Sequence, residues 1–216
     1  MSALIGENRL PYMLVGSGAA LMFGLLAWFM TEASAVPGDH AVIAAVQGWE
    51  HRALTTVMIA LSWIGSTPVM IAICLAILAV MYLKLKLRVE LLFFVFSLLG
   101  SYGLNKLLKL WLQRERPDIY RLVEADGFSF PSGHAMQAFA LYATLVFLLW
   151  RHVSSRRNRL LLLIGCVTMI VTIGISRIYL GVHYPSDVIG SYAAGAVWFC
   201  LTVCLFRRHL PSSSHS

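Results

Sequence analysis

The sequence predicts an all-α protein that crosses a membrane repeatedly, six transmembrane helices forming one bundle, a single integral-membrane domain over residues 1–216. Three observations predict it. Of the residues, 59% are hydrophobic and 12% charged, against about 25% charged in ordinary soluble domains, and mean hydropathy is +0.76. The apolar residues come in runs near the ~20 needed to cross the hydrocarbon as a helix. The basic residues cluster between those runs, where topology and anionic headgroups place them. The net charge of +7 is therefore read as membrane topology, and nucleic acid is not an expected partner. Cys74, Cys166, Cys200 and Cys204 lie inside apolar runs without a CxxC pair, as small buried hydrophobes do.

The first span runs from about Pro11 to Met30 and is followed by Ala33-Ser34-Ala35, which has the form of a signal peptidase site. From Asp39 to Trp63 the chain is only moderately apolar, and one or two short helices near the outer surface are expected, with Trp49 and Trp63 in an interfacial belt. Gly65 to Pro68 breaks the chain and starts a second span, Thr67 to Leu83; one long tilted helix from Ala53 to Leu83 is the competing reading. A third span covers Val89 to Trp111, with Ser97, Gly100, Ser101 and Gly103 as a small-residue stripe for close packing. The fourth spans His134 to Trp150, the fifth Leu160 to Tyr179 and the sixth Pro185 to Phe206. Lys84, Lys86, Arg88, then Arg151, Arg156, Arg157, Arg159, then Arg207 and Arg208 fall on one side, which the positive-inside rule makes cytoplasmic. The stretches 109–130 and 177–187 are then expected to face outside the cytoplasm, at the plasma membrane.

Three polar islands share that outer side. In the first, Lys109 and Arg116 stand two helical turns apart, with Lys106 and Gln113 on the same stripe if the helix continues; snorkelling to the headgroups is the plain alternative. The second is Phe130 to Met136. Ser132 reads either as a simple N-cap or, with Gly133, as a helix mouth whose free N–H groups bind an anion beside the proton-carrying His134. In the third, Arg177 precedes His183 and Asp187, four apart at the start of a helix, the spacing of a carboxylate that orients an imidazole. Together they bring three permanent cations to one carboxylate near a membrane, where uncompensated charge is costly. A phosphate group, at about −1.5 to −2, fits that imbalance, and Arg forks match its oxygens.

In order, KxxxxxxRP (Lys109, Arg116, Pro117), PSGH (Pro131 to His134) and SRxxxxxHxxxD (Ser176, Arg177, His183, Asp187) resemble the type 2 phosphatidic acid phosphatase superfamily, which includes lipid phosphate phosphatases and vanadium haloperoxidases. The resemblance implies a metal-independent lipid phosphatase requiring no cofactor. In it His183 is the nucleophile and forms a phosphohistidine, Asp187 holds its other ring nitrogen, and His134 is general acid and then general base. Lys109, Arg116, Arg177, Ser132 and Gly133 hold the phosphoryl oxygens. The substrate is expected to be a lipid phosphate reaching the site from the bilayer: undecaprenyl pyrophosphate, whose recycling serves cell-wall synthesis, or phosphatidylglycerophosphate. A broader phosphatidate or lysophosphatidate phosphatase is the alternative. Selectivity is expected at the tail groove and at Asn105, Gln137 and Tyr120; Asp118, Glu124 and Asp126 read as a solvated loop, with the shaping of a headgroup entry as the alternative. Among rivals, a haloperoxidase is expected to be soluble. A lipid transporter accounts for intramembrane charge but not for two histidines with an orienting aspartate.

Overall fold

The computed structural model describes residues 9–32, 36–85, 88–118, 120–150 and 152–209. All regular structure among them is helical: α1 (Leu10–Glu32), α2 (Asp39–Gln47), α3 (Arg52–Ile64), α4 (Thr67–Val80) continued by one π turn (Met81–Leu85), α5 (Arg88–Leu112), α6 (Gly133–Leu149), α7 (Arg156–Tyr179) and α8 (Pro185–Phe206). The candidate cleavage site at 33–35, with Lys86 and Arg151 of the basic loops, lies outside the described residues.

Four helices, α1, α5, α7 and α8, are each long and apolar enough to cross a bilayer. The two readings of residues 53–83 are both partly right, because α3 and α4 qualify as a span only together and bend by 54° at their junction. The cause is local. Ser66 is extended (φ −71°, ψ 150°) and a proline occupies the first turn of α4, where its missing N–H is harmless and its ring blocks continuation from α3. At the corner, a Cβ on Gly65 would lie 2.7 Å from Ile173 Cγ2, so the glycine lets the bend press against α7. α6, with 17 residues, is apolar but shorter than these spans, so the described residues give four spans, or five with the bent pair, and not the six expected.

The bundle is organised on α8, against which α1, α5, α6 and α7 pack. Lipid tails are as apolar as a leucine, so association rests on close fit. Phe130 packs onto Gly190, where a Cβ would meet its ring at 2.3 Å, and Phe139 packs onto Gly195. The small-residue stripe of α5 is used in three of its four positions. Ser97 Oγ lies 2.8 Å from Thr144 Oγ1 on α6, Ser101 is fully buried, and Gly100 receives the indole of Trp198. A Cβ on Gly103 would have nothing within 4 Å, because this residue lies on another face of the helix. At one end of the bundle Phe93, Phe147, Phe199 and Phe206 form an aromatic plug. Arginines there lie over aromatic rings: Arg207 over Tyr12 at 5.0 Å, Arg159 over Trp150 at 5.6 Å and Arg88 over Tyr82 at 4.1 Å. The other end collects the C-terminal turns of α3, α5 and α7 and the N-terminal turns of α2, α6 and α8, and every polar island comes to it.

Trp198 is anchored by its own N–H to Ser97 O (3.1 Å), so it yields little to a new side chain at Gly100, where a Cβ would sit 1.9 Å from Cζ2. Gly100→Val is expected to cost about 1–3 kcal/mol of stability or more. Gly103→Ala is expected to be neutral or to stabilise by up to about 1 kcal/mol. Thermal unfolding of both variants in detergent checks the contrast; equal melting temperatures would contradict it.

Candidate active site

The turn between α7 and α8 places the first imidazole. Gly181 has φ +73°, and a Cβ there would lie 2.5 Å from Tyr120 O, so both the backbone and the space require glycine. The chain reverses and enters α8 through Tyr184, with Asp187 as the third helical residue. Asp187 Oδ2 accepts the Tyr184 N–H at 2.9 Å, completing a capping box, and stands 3.3 Å from His183 Nδ1. One carboxylate thus starts the helix and fixes the ring. The Ser129 hydroxyl donates to the same oxygen and lies 3.3 Å from Nδ1. With Nδ1–H engaged, Nε2 carries the lone pair, and Arg116 Nη1 is 3.4 Å from it.

The cations arrive by routes the continuous-helix reading does not describe. Lys109 sits in the last turn of α5, its Nζ donating to Phe128 O at 2.5 Å. The helix does not continue to Arg116: it ends at Leu112, and Gln113 takes φ +45°. Its N–H closes back on Lys109 O at 3.1 Å, a left-handed helix stop in a residue other than glycine. Gln113 is exposed and donates to Leu110 O, so it leaves the expected stripe, while Lys106 stays on the wall of the cavity. Arg116 comes from the extended segment beyond. Carbonyls of Gly127 (2.9 Å), Val182 (2.8 Å) and Asp126 (2.8 Å) clamp its guanidinium. Arg177, in the last turn of α7, donates to the Ser62 hydroxyl of α3, and its Nε is buried without a partner.

Ser132 stands at the N-cap position of α6, but its side chain makes no capping bond. Its Oγ is fully buried and unpartnered. The plain N-cap reading therefore does not account for the hydroxyl. Each buried unpaired polar group costs about 1–3 kcal/mol, and here a hydroxyl and a guanidinium N–H both belong to residues of the predicted anion site. A helix N-terminus adds positive potential at the same place. Arg177 and Gly133 line the cavity; Ser132, fully buried, is not among its lining residues.

Both imidazoles line one cavity of about 840 Å³, together with Lys109, Arg116, Arg177 and Gly133. The cavity runs on between α4 and α5 along Met70, Ile71, Leu75, Leu98, Leu99 and Tyr102. Several of these also face outward: Ile71, Leu75 and Leu99 are more than half exposed. Asn105 and Gln137 line the polar end. Tyr120 does not; it is 68% exposed, and its backbone carbonyl is held by Gln47. The loop at 123–126 is not merely solvated, since it forms the rim of the cavity.

Sequence reasoning missed a second layer. Arg114 is buried, with Nη1 2.5 Å from Asp187 Oδ1 and Nη2 3.0 Å from Asp39 Oδ2. Asp39 opens α2, in a stretch expected near the outer surface, yet it is only 4% exposed. Trp49 and Trp63 are exposed; Ser62 brings α3 to the wall of the cavity, and Asp39 ties α2 to the residues behind Asp187. Arg114 was legible as a cation two residues before Arg116; Asp39 has one local partner, the Val36 N–H, and its side-chain partners lie 75 and 147 residues away. Among the described residues no three His, Cys, Asp or Glu side chains form a metal-binding group.

A membrane-crossing helical bundle with two imidazoles and three fixed cations around one cavity defines a class of anion-handling integral-membrane protein. The chain belongs to the PAP2 superfamily, which matches residues 90–211. It is 42% identical to phosphatidylglycerophosphatase B of Bacillus subtilis over 101 residues, 45% of this chain and 49% of the relative. It is 32% identical to lipid A 1-phosphatase of Rhizobium johnstonii over 123 residues, 52% and 46% of the two chains. The matches thus span about half the length of these curated relatives. The fold superposes on the crystal structure of a transmembrane PAP2 type phosphatidylglycerolphosphate phosphatase from Bacillus subtilis with a TM-score of 0.78 and 28% identity, covering 89% of this chain and 96% of that one.

Burial drives the His183 imidazole down to about 3, its bond and charge contact with Asp187 opposing and Arg177 and Arg116 reinforcing the shift. The ring is neutral at neutral pH. An unfolded histidine titrates near 6.5. The folded value is depressed, so the contribution to stability is complete above pH ~6.5 and is lost as pH falls toward 3, at about 1.4 kcal/mol per pH unit. The melting temperature in detergent is expected to fall from pH 7 to pH 5, less steeply in His183→Asn. A flat wild-type profile would overturn this.

Proposed function

We propose that the protein is a membrane lipid phosphatase that removes a terminal phosphoryl group through a phosphohistidine at His183. One observation carries the reading: two imidazoles and three cations share a cavity that continues into an apolar groove open toward lipid. The terminal phosphoryl group lies among Lys109, Arg116, Arg177, Ser132 and the Gly133 N–H. His183 Nε2 attacks phosphorus; the N–P bond forms as the P–O bond to the lipid breaks, and the departing oxygen takes a proton from His134. The dianion supplies the countercharge that lets His134 carry that proton among cations. The ring of His183 becomes cationic, and Asp187 stabilises it through Nδ1–H. Water, deprotonated by His134, then attacks phosphorus; the P–N bond breaks, and phosphate leaves. The fixed cations stabilise the five-coordinate transition state throughout.

The groove between α4 and α5 supports a substrate whose tail stays in the bilayer while its headgroup reaches the histidines. The names of the relatives support a lipid phosphate, phosphatidylglycerophosphate in particular; undecaprenyl pyrophosphate presents the same terminal group, as do phosphatidate and lysophosphatidate. A lipid transporter without chemistry is the other class of reading, and the Asp187–His183 contact favours the enzyme. Basic residues at the end opposite the site support an arrangement in which that end is cytoplasmic and the site faces outward across the plasma membrane.

Phosphate release in detergent with EDTA, from phosphatidylglycerophosphate, undecaprenyl pyrophosphate and phosphatidate, tests the activity and ranks the lipids. Wild type is expected to retain its rate. His183→Ala and His134→Ala are each expected to lose about a thousandfold or more, at least about 4 kcal/mol of barrier. Undiminished turnover in His183→Ala would sink the mechanism. For orientation, Asp126→Cys on a background lacking the native cysteines is expected to react with an impermeant thiol reagent added to intact cells. Reaction only after permeabilisation would reverse the assignment.

A further inference from the structure

The buried cluster behind Asp187 has no part in the chemistry described so far, and its geometry is specific. Arg114 donates through Nη1 to Asp187 Oδ1 (2.5 Å) and to the Ser186 hydroxyl (2.8 Å), and through Nη2 to Asp39 Oδ2 (3.0 Å). Asp39 in turn accepts the Ser186 N–H (3.0 Å) and hydroxyl (2.6 Å) and the Val36 N–H (3.1 Å). The Arg114 guanidinium lies 4.0 Å from the centre of the Tyr184 ring, which fixes its plane. Asp39 is delivered by Gly38 at φ +95°, from a helix outside the residues matched by the family. The order of charges, moving away from the cavity, is imidazole, carboxylate, guanidinium, carboxylate.

That order has a consequence for the reaction. His183 turns cationic when Nε2 takes the phosphoryl group, and Asp187 serves it only while its own negative charge is undiluted and its second oxygen stays on Nδ1. A bare Arg114 would orient Asp187 while cancelling its charge. A second carboxylate beyond the guanidinium returns part of that charge. Resting on the phosphohistidine reading above, we infer that Asp39 and Arg114 are a positioning pair. Arg114 clamps Asp187 in the orientation His183 needs, and Asp39 holds Arg114 and offsets its charge, so that the first helix of the site wall sets the strength of the Asp187–His183 contact. Neither residue touches the substrate, so their loss acts on turnover and not on binding.

The test compares wild type, Asp39→Asn and the charge-balanced double variant Asp39→Asn/Arg114→Gln, with a soluble short-chain phosphatidate as probe. Rates are expressed per folded molecule, from size-exclusion and melting profiles. Asp39→Asn is expected to lower kcat about ten- to a hundredfold, about 1.4–2.7 kcal/mol of barrier, with KM within about twofold. Asparagine preserves the shape and leaves Arg114 ion-paired with Asp187 but no longer with residue 39, so the guanidinium draws more of the Asp187 charge away from His183. The double variant removes one positive and one negative charge together, keeps an amide N–H at position 114 as a donor for Asp187, and is expected to fold and to lose about tenfold in kcat, again with KM held. A purely structural clip predicts wild-type kcat in whatever protein folds. Wild-type kcat in the folded single variant, or in the double variant should the single fail to fold, overturns the inference, as does a raised KM at constant kcat. His183→Ala in the same series separates the two levels. If it is active, the phosphohistidine reading fails and takes this inference with it. If it is inactive while the Asp39 and Arg114 variants turn over normally, only the positioning role fails.

Discussion

A carboxylate with no exposure to solvent, at the edge of a membrane bundle, is the constraint around which the structure is arranged. Asp187 is 0% exposed, and an anion so placed persists only when its oxygens are saturated by donors. It takes them from four places: the backbone of Tyr184, the hydroxyl of Ser129, the imidazole of His183 and the guanidinium of Arg114. Those donors come from the turn before α8, the loop before α6 and the segment after α5. Satisfying one carboxylate therefore ties together the pieces that carry all three sequence motifs, and the orientation of the imidazole follows from it.

The rest of the molecule divides into two ends of opposite chemistry. One is sealed by aromatic rings under arginines. The other keeps its polar groups on helix termini, where backbone N–H and C=O groups are unpaired in any case. That division lets a chain that is mostly hydrocarbon-compatible hold a cationic cavity without exposing charge to lipid. The positive charges are held mainly by backbone carbonyls and hydroxyls, as at Arg116 and Arg177, so they remain uncancelled at the cavity.

Much of this was legible in the sequence because each signal was local. The long apolar runs marked α1, α5, α7 and α8. The spacing of His183 and Asp187 foretold their contact, and Lys109, Arg116, Ser132, Gly133, His134 and Arg177 come to the same end of the bundle. What was not legible depended on tertiary context. Nothing in the residues after Leu112 announced that Gln113 would take a left-handed conformation, so the stripe through Arg116 was wrong in path though right in destination. Asp39 sits in a Pro-Gly turn that reads as surface, and only the packing of α2 against α8 buries it. The bend at Gly65 was visible as a break, but the partners it gains, Ile173 and the neighbourhood of His134, lie on other helices.

The brevity of α6 bears on the membrane itself. Its 17 residues amount to about 26 Å of helix, less than the ~30 Å of hydrocarbon it adjoins, while α5 with 25 residues is longer than that thickness. A segment shorter than the hydrocarbon costs a fraction of a kcal/mol for each ångström of mismatch wherever it meets lipid. Packing against α5, α7 and α8 shields α6 from most of that cost, so a short helix can start inside the bundle and hold Gly133 and His134 at the cavity.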